Sequence, residues 1–463
     1  MIDRELVQKV LRAVMSRGVE FAELYVENRA VTSVFCEDNK IERVHSGSEK
    51  GAGIRVISQG NTAYAFTNDL SERSLISAAS VAAHVVKNAS EKTDVSLDFK
   101  VLKPDFRLAI VRRPSAVGFD FKMEQVLAAN EAARELGSNV KQVTVGLADI
   151  ERNVLIVNSE GDWVEDETAR VRFVVNVVAA RNGLIQTGYE ALGAVKGWEL
   201  LEEKSATEVA RKAAKRALLM LEARPCPAGR MPVVMSSEAG GTMVHEACGH
   251  GLEADLVQKG LSVYRGKLGQ KVASECVSVI DDATLPGNYG SFCFDDEGVK
   301  AVRKVLIDRG VLVEYMYDRL TARKENRQST GNGRRESYQY KPIPRMTNTF
   351  IAPGRDDPES IVKSTSRGLL VRKMGGGQVN TTNGDFVFEV QEGYIIENGE
   401  IKYPVRGATL IGNGPEALNN IDMVGSDLEF AIGQCGKDGQ GVPVSDAQPT
   451  IRIRELTVGG TAL

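Results

Sequence analysis

Two of the four histidines in this 463-residue chain stand with a glutamate inside one short stretch, His245-Glu246-Ala247-Cys248-Gly249-His250. Imidazole is the commonest protein ligand for a transition metal, and a hydrolytic site needs such ligands together with a base that takes a proton from water. His245 and His250 are therefore candidate metal ligands, and Glu246 is the candidate base. Their spacing is one residue longer than the His-Glu-x-x-His of zinc proteases. On a regular helix, residues four apart lie about 40° apart around the axis, whereas residues five apart diverge by about 140°. Two ligands so splayed cannot share an ion. Either the helix carries a π-bulge, whose wider turn restores a common face, or it unwinds near Gly249 and Gly251 so that His250 swings round. Distortion at Gly249 is the favoured reading.

A tetrahedral catalytic site takes three protein ligands and keeps one position open. The remaining histidines, His45 and His84, read as ordinary surface or core residues of a hairpin and a helix, which leaves Cys, Asp or Glu for the third ligand. Gly433-Gln434-Cys435-Gly436-Lys437-Asp438-Gly439 sets one thiol among glycines and beside a lysine. Glycine lets backbone approach a site closely, and a neighbouring cation favours thiolate, the form that binds metal. Cys248 competes, three residues after His245, but three ligands from one short helix would leave little room for an open position. Cys435 is preferred.

The elements that must position these groups read as α+β. Ile2, Leu6, Val10, Leu11 and Val14 recur at helical spacing. Two hairpins follow, Val31–Cys36 with Ile41–His45 and Gly53–Ile57 with Thr62–Phe66, then a helix from Glu72 whose capping box is expected to begin at Asp69. Residues 91–120 read as an irregular connection. A second unit repeats the pattern with a helix over Met123–Leu136, strands at Val140–Ala148, Val154–Ser159, Ala169–Ala180 and Leu184–Tyr189, and a long helix capped at Ser205. Pro225-Cys226-Pro227 breaks the chain, so the expected division is an α+β N-terminal domain over 1–224, with sub-units 1–110 and 111–224, and a C-terminal domain over 225–463. The second half reads as mostly β, from Met231–Ser236 before the His-Glu stretch to Thr450–Val458.

Composition narrows the function classes. An apolar fraction of 42% and a charged fraction of 26% are those of an ordinary globular protein, and a net charge of −4 supplies no whole-chain basic field to attract nucleic acid. The six cysteines are scattered without a C-x-x-C pair, as expected of reduced thiols. No apolar run approaches membrane-spanning length and the first residues lack the layout of a signal peptide, so a cytoplasmic protein without a membrane partner is expected. Gly375-Gly376-Gly377 and Gly412-Asn413-Gly414 read as turns, and no nucleotide cofactor is implied.

His245 through Asp255, His-Glu-Ala-Cys-Gly-His-Gly-Leu-Glu-Ala-Asp, resembles the signature of the TldD/PmbA family in its TldD branch, whose members are metalloproteases. The resemblance continues through Tyr317-Asp318-Arg319-Leu320-Thr321-Ala322-Arg323, Thr330–Ser337, Pro344–Thr349, Gly412–Pro415, Cys435–Gln440 and Leu456–Gly460. It covers most of 237–463, whereas the first half is similar in layout alone. One departure is Ser445-Asp446-Ala447, where a glycine is expected. The resemblance implies that His245, His250 and Cys435 hold one divalent ion and that Glu246 is the general base; thiolate and imidazole ligands suit zinc, and iron is compatible. It implies extended or unfolded peptides as substrates, threaded through an enclosed channel and held by backbone pairing to a sheet edge, for which Thr382–Val390 is the candidate. It further implies a dimer, of two copies or with a TldE/PmbA-like paralogue lacking the His-Glu motif. The rival reading is a regulatory peptide- or partner-binding metalloprotein of the gyrase-modulator type, without turnover. Its sequence support is the basic cluster Arg319, Arg323, Lys324, Arg327, Arg334, Arg335, Lys341 and Arg345. Asp318, Glu325 and Glu336 interleave with that cluster, so it reads as a salt-bridged loop or a peptide-carboxylate contact rather than a nucleic-acid groove.

Overall fold

A computed structural model of the chain describes residues 2–17, 19–85 and 97–460. Helix α1 (Arg4–Met15) starts where Asp3 accepts a hydrogen bond from the Leu6 amide, and it buries Val7, Val10, Leu11 and Val14. The hairpins follow as expected but with far longer strands, β1 (Phe21–Glu37), β2 (Lys40–Ser58) and β3 (Asn61–Thr67). Asp38, Asn39, Gln59 and Gly60 adopt the positive φ that the two tight turns require. Helix α2 (Glu72–Val85) follows; its capping box does not form, because Asp69 accepts from Ser71 and Ser74 instead of capping at Glu72. Residues 86–96 lie outside the described residues. Just beyond them Leu97 and Phe99 pack into the helical core and Lys100–Val101 pairs with the sheet, so the described part of the expected irregular connection is tied down. Helix α3 (Phe119–Arg134), strands β4 (Val140–Asn158), β5 (Asp162–Arg181) and β6 (Leu184–Ala194), and helix α4 (Ala206–Glu222) complete this half.

These six strands form one sheet in the order β3-β2-β1-β4-β5-β6, each neighbouring pair antiparallel, with the short Lys100–Val101 strand added in parallel beside β5. Strands of 17 to 20 residues span about 60 Å, longer than a single helix layer covers. The sheet accordingly carries two cores, α1 and α2 at one end and α3 and α4 at the other. The runs of polar residues Glu27-Asn28-Arg29 and Glu151-Arg152-Asn153 interrupt the apolar alternation, which is why β1 and β4 read as shorter in sequence. In the fold they are central rungs of the sheet, paired Asn28 to Asn153 and Arg29 to Arg152.

The second half is mostly β. Strands β7 (Gly229–Met235), β8 (Val279–Asp282), β9 (Arg303–Asp308), β10 (Asn348–Ile351), β11 (Arg367–Val379), β12 (Asp385–Glu397), β13 (Thr409–Asn413), β14 (Glu429–Lys437), β15 (Gln440–Gln448) and β16 (Ile451–Gly459) form two sheets, with shorter pieces at their rims. In the first sheet β11-β7-β16-β13-β12 closes on itself through pairing of β12 with β11. Phe386 and Phe388 point into its core as their alternation predicts. The second sheet includes β9-β8-β10-β15-β14 and ends at β14. Thr382–Val390 is not an edge: from Asp385 onward it pairs with β13 on one side and β11 on the other.

Buried charge joins the two halves. Glu23 of β1 accepts from both Arg55 of β2 and Arg335, and Arg55 also reaches Glu297; all four side chains are at most 1% exposed. The Tyr64 hydroxyl donates to the Tyr338 carbonyl, and Glu27 accepts from the Tyr338 amide. Six of the eight residues of the basic cluster are paired or buried. Arg319 and Arg323 pair with Glu160, Arg327 pairs with Glu314, and Arg334, Arg335 and Arg345 are buried.

Candidate metal centre

Strand β7 leads through a short turn at Ser237–Ala239 and Gly240, at φ +78°, into the His-Glu stretch. One α turn (Thr242–Val244) passes into a π turn over His245–Gly249 and then a 3₁₀ turn over His250–Leu252. Of the two distortions open to the sequence, the widened turn is the one formed. Gly249 keeps helical angles, φ −51° and ψ −60°, so the chain does not unwind there. The wider turn places His245 and His250 on one face, with their Nε2 atoms 3.3 Å apart and their rings nearly perpendicular.

Packing enforces this turn. A Cβ on Gly249 would lie 2.2 Å from Met346 Sδ, and one on Gly414 would lie 2.3 Å from the Ala247 carbonyl oxygen. That same carbonyl, inside the π turn, accepts a 2.7 Å hydrogen bond from the buried Tyr264 hydroxyl. Cys248 is fully buried and its thiol donates to the Val244 carbonyl. Burial pushes that thiol up to about 12.

Cys435 arrives from the other end of the sequence. Strands β14 and β15 form a hairpin around Asp438-Gly439, both at positive φ, and its register pairs Cys435 with Val442 and Ala431 with Asp446. Cys435 and Asp446 therefore share a face. Cys435 Sγ lies 3.4 Å from His250 Nε2, and ligand atoms of His245, His250 and Cys435 all lie within 4.8 Å of one another. His45 and His84 are exposed, on β2 and α2.

Two carboxylates that the sequence reading did not identify stand behind the rings. His245 Nδ1 is 2.8 Å from Asp446 Oδ1, and His250 Nδ1 is 3.1 Å from Glu253 Oε2. Each carboxylate fixes the tautomer that leaves Nε2 a lone pair for a ligand bond. Lys437, two residues from Cys435, donates to Glu253, Asp255 and the Pro344 carbonyl, and the Arg345 guanidinium donates to the Cys435 carbonyl. Asp446 was legible in part. A two-residue Asp-Gly turn fixes the hairpin register, and the apolar face Val442, Val444 then runs into a lone aspartate. Glu253 carries a weaker signal, being one helical step beyond His250.

The electrostatics favour positive charge at the meeting point of the three side chains. Burial opposes protonation of His245, but Asp446 and Cys435 hold it well above its ordinary value. Burial likewise opposes His250, yet Glu253 and Cys435 lift it to about 9. Burial works against ionising Cys435, and the facing imidazoles outweigh it and hold the thiol well below its ordinary range. Glu253, pushed up by burial, is brought to about 2 mainly by Lys437 and His250. Two imidazole nitrogens and a thiolate-prone sulfur, braced by buried carboxylates, are a donor set that fits a divalent transition metal. Glu246 is half-buried, accepts no hydrogen bond among the described residues, and has its carboxyl pushed up by burial.

A groove of about 390 Å³ lies on the segments that lead into this centre, although His245, Glu246, His250 and Cys435 are not among its lining residues. It runs from Thr242, three residues before His245, between Glu429–Ile432 on β14 and Lys373–Gly376 on β11, with Tyr189–Ala191 of β6 closing one wall.

Three family models match consecutive parts of the chain: PmbA/TldA metallopeptidase domain 1 over residues 22–99, the central domain over 112–221, and the C-terminal domain over 228–460. A "Metalloprotease" of Methanothermobacter thermautotrophicus is 37% identical over 462 residues, covering 99% of this chain and 100% of its own. A "Metalloprotease TldD homolog" of Haemophilus influenzae is 36% identical over 452 residues, covering 96% of this chain and 94% of its own. Among solved structures, a Thermotoga maritima protein described as a putative modulator of a DNA gyrase superposes with a TM-score of 0.81 at 25% identity, over 98% of this chain and 99% of that one. Among the described residues, no helix is long and apolar enough to cross a membrane.

Proposed function

The chain belongs to the PmbA/TldD family of metallopeptidases, and from that premise we propose that it hydrolyses extended peptides at a single divalent ion held by His245, His250 and Cys435, with Glu246 as general base. The observation that carries this reading is the convergence of the three ligand atoms within 4.8 Å, each imidazole backed at Nδ1 by a carboxylate. Imidazole and thiolate suit zinc, and iron is compatible.

A divalent ion bound there would supply Lewis acidity towards a peptide carbonyl and a water molecule. The other steps belong to the chain. Asp446 and Glu253 orient the imidazoles, and burial of Cys435 and His245 keeps bulk water from competing for them. Glu246 takes the proton from the attacking water and passes it to the leaving amine. Unlike His245 and His250, whose Nδ1 atoms are engaged by carboxylates, Glu246 has no hydrogen-bond partner among the described residues to give up first. The substrate backbone pairs along the outer edge of β14, the strand that carries Cys435 and ends its sheet, so that side chains matter little to binding. The groove along that strand supports the assignment. We read residues 1–224 as the half that supplies a wall of the groove and 225–463 as the catalytic half, with a dimer, of two copies or with a PmbA-like paralogue, as the working form.

Metal analysis of the purified protein, coupled to digestion of an unstructured peptide with and without chelator, tests this. The expected result is about one ion per chain and cleavage that is lost on chelation and restored by zinc. Stoichiometric metal without cleavage of any unstructured peptide would favour the regulatory reading instead.

A further inference from the structure

We propose that the cavity between the N-terminal sheet and the C-terminal half is a binding site for a compact oxyanion, a carboxylate or a phosphate group, held by Arg170 and Arg334. The cavity measures about 210 Å³. Its floor is one face of the long sheet, where register places Arg152 of β4 opposite Thr168 of β5, and Arg170 one alternation further along. Its roof comes from the other half, with Arg334 and, from the β14–β15 hairpin, Gln434 and Pro443. Gln434 and Pro443 are paired rungs that face away from Cys435, so this cavity lies on the opposite side of the hairpin from the metal centre and the inference stands apart from the hydrolytic reading.

The charges lining the cavity are not equally satisfied. Arg152 pairs with Glu27 and Asp296, Arg29 pairs with Glu49, and Arg335 pairs with Glu23. Arg170 and Arg334 have no carboxylate within ion-pair distance among the described residues, although they are only 9% and 3% exposed. Arg170 donates to the carbonyls of Tyr289 and Ser291, and Arg334 to those of Met346 and Pro443. Nη1 of Arg170 and the Thr168 hydroxyl have no acceptor among the described residues.

The nearby carboxylates are committed or poorly placed to answer them. Asp295 accepts from the amides of Glu297, Val299 and Gly333, and Glu336 accepts from the Gly441 amide. Asp166 has no cation within ion-pair distance among the described residues, but it sits four residues from Arg170 along the same strand, and burial pushes its carboxyl up to about 6. Burial, and the repulsion of Arg170 itself, bring Arg334 down to about 9. A charged group taken from water is costly unless an opposite charge meets it. Two guanidinium groups line one small cavity, and guanidinium is the side chain whose geometry suits the paired oxygens of a carboxylate or phosphate.

Calorimetric titration of the metal-loaded full-length protein with inorganic phosphate, and separately with an acetylated tripeptide and its C-terminal amide, tests the site at constant ionic strength set with chloride. The expected result is saturable binding of one phosphate or one free-carboxylate peptide per chain, with the amide inert. The affinity should weaken by on the order of tenfold in Arg170→Met and in Arg334→Met, since each removes a positive charge from the cavity lining. Whichever probe binds tighter identifies the source of the oxyanion. Thr168→Val removes one donor from the floor without releasing a loop, so it gives a smaller weakening even where an arginine variant does not fold. Binding that fails to saturate, or that is undiminished in all variants that fold, overturns the proposal.

Discussion

The three proposed ligand atoms and the two carboxylates behind them differ in what their loss should do. Cys435→Ala removes a proposed ligand and should leave the purified protein without stoichiometric metal after dialysis. Cys248→Ala touches a thiol committed to the Val244 carbonyl and should keep its metal. The reverse pattern would move the third ligand to Cys248. Glu246→Gln should keep the metal while slowing peptide cleavage by about 10²–10⁴-fold, the usual contribution of a positioned base; full turnover with metal bound would remove Glu246 from the mechanism. Asp446→Asn and Glu253→Gln act one step further out. Each should weaken metal affinity by about 10–100-fold, because an amide no longer fixes the imidazole as a carboxylate does. Competition with a chelator of known affinity measures this, and an unchanged affinity in both variants would reduce the two carboxylates to packing.

Among the elements, the π turn is what makes a five-residue spacing usable, and its neighbours hold it open. A methyl on Gly249 meets a methionine side chain that has other rotamers, whereas a methyl on Gly414 meets the backbone carbonyl of Ala247 within the turn. Gly249→Ala should therefore cost about 1–3 kcal/mol, as overpacking in a filled core does, and Gly414→Ala should cost more and lose more metal. Urea denaturation with metal content measured on the same samples checks the order; a harmless Gly414→Ala would mean that the turn is not held from that side. The need for distortion was legible from residue geometry alone, as were the tight turn at Asp38-Asn39 and the buried alternation of Phe386 and Phe388. The long strands were not, because Glu27–Arg29 and Glu151–Asn153 break the apolar period where the strands serve inter-half contacts. The β14–β15 hairpin was missed although Asp438-Gly439 marks it. Its short outer strand, Glu429–Lys437, mixes small and polar residues and has no simple period, and with it went the pairing that brings Asp446 to His245.

Across the whole molecule the two halves meet through charge that neither could bury alone. Arg55 lies between Glu23 and Glu297, and Arg335 gives Glu23 a second cation, so removing Arg55 strands Glu297 more than Glu23. Breaking a buried pair from one side typically costs about 3–5 kcal/mol, and Arg55→Met should fall in that range near neutral pH. Adding Glu297→Gln should recover part of the loss, since the stranded carboxylate goes with it. Proton linkage sharpens the test. Burial, opposed by Arg55, already raises Glu297 to about 7, above its ordinary value. Between that ordinary value and 7 the folded chain binds the proton and the unfolded chain has released it, so this group's contribution to stability declines as pH rises through the window. Asp295, raised by burial and by Glu297, acts with the same sign. Without Arg55 the Glu297 carboxyl rises further and stays protonated in the folded state. The deficit of Arg55→Met relative to the unaltered protein should therefore be smaller at pH 6 than at pH 8, and the further Glu297→Gln change should flatten that difference. Urea midpoints at the two pH values decide it: a deficit that grows on acidification would mean that Glu297 is held ionised by some other cation and that Arg55 is not what joins the halves at this point.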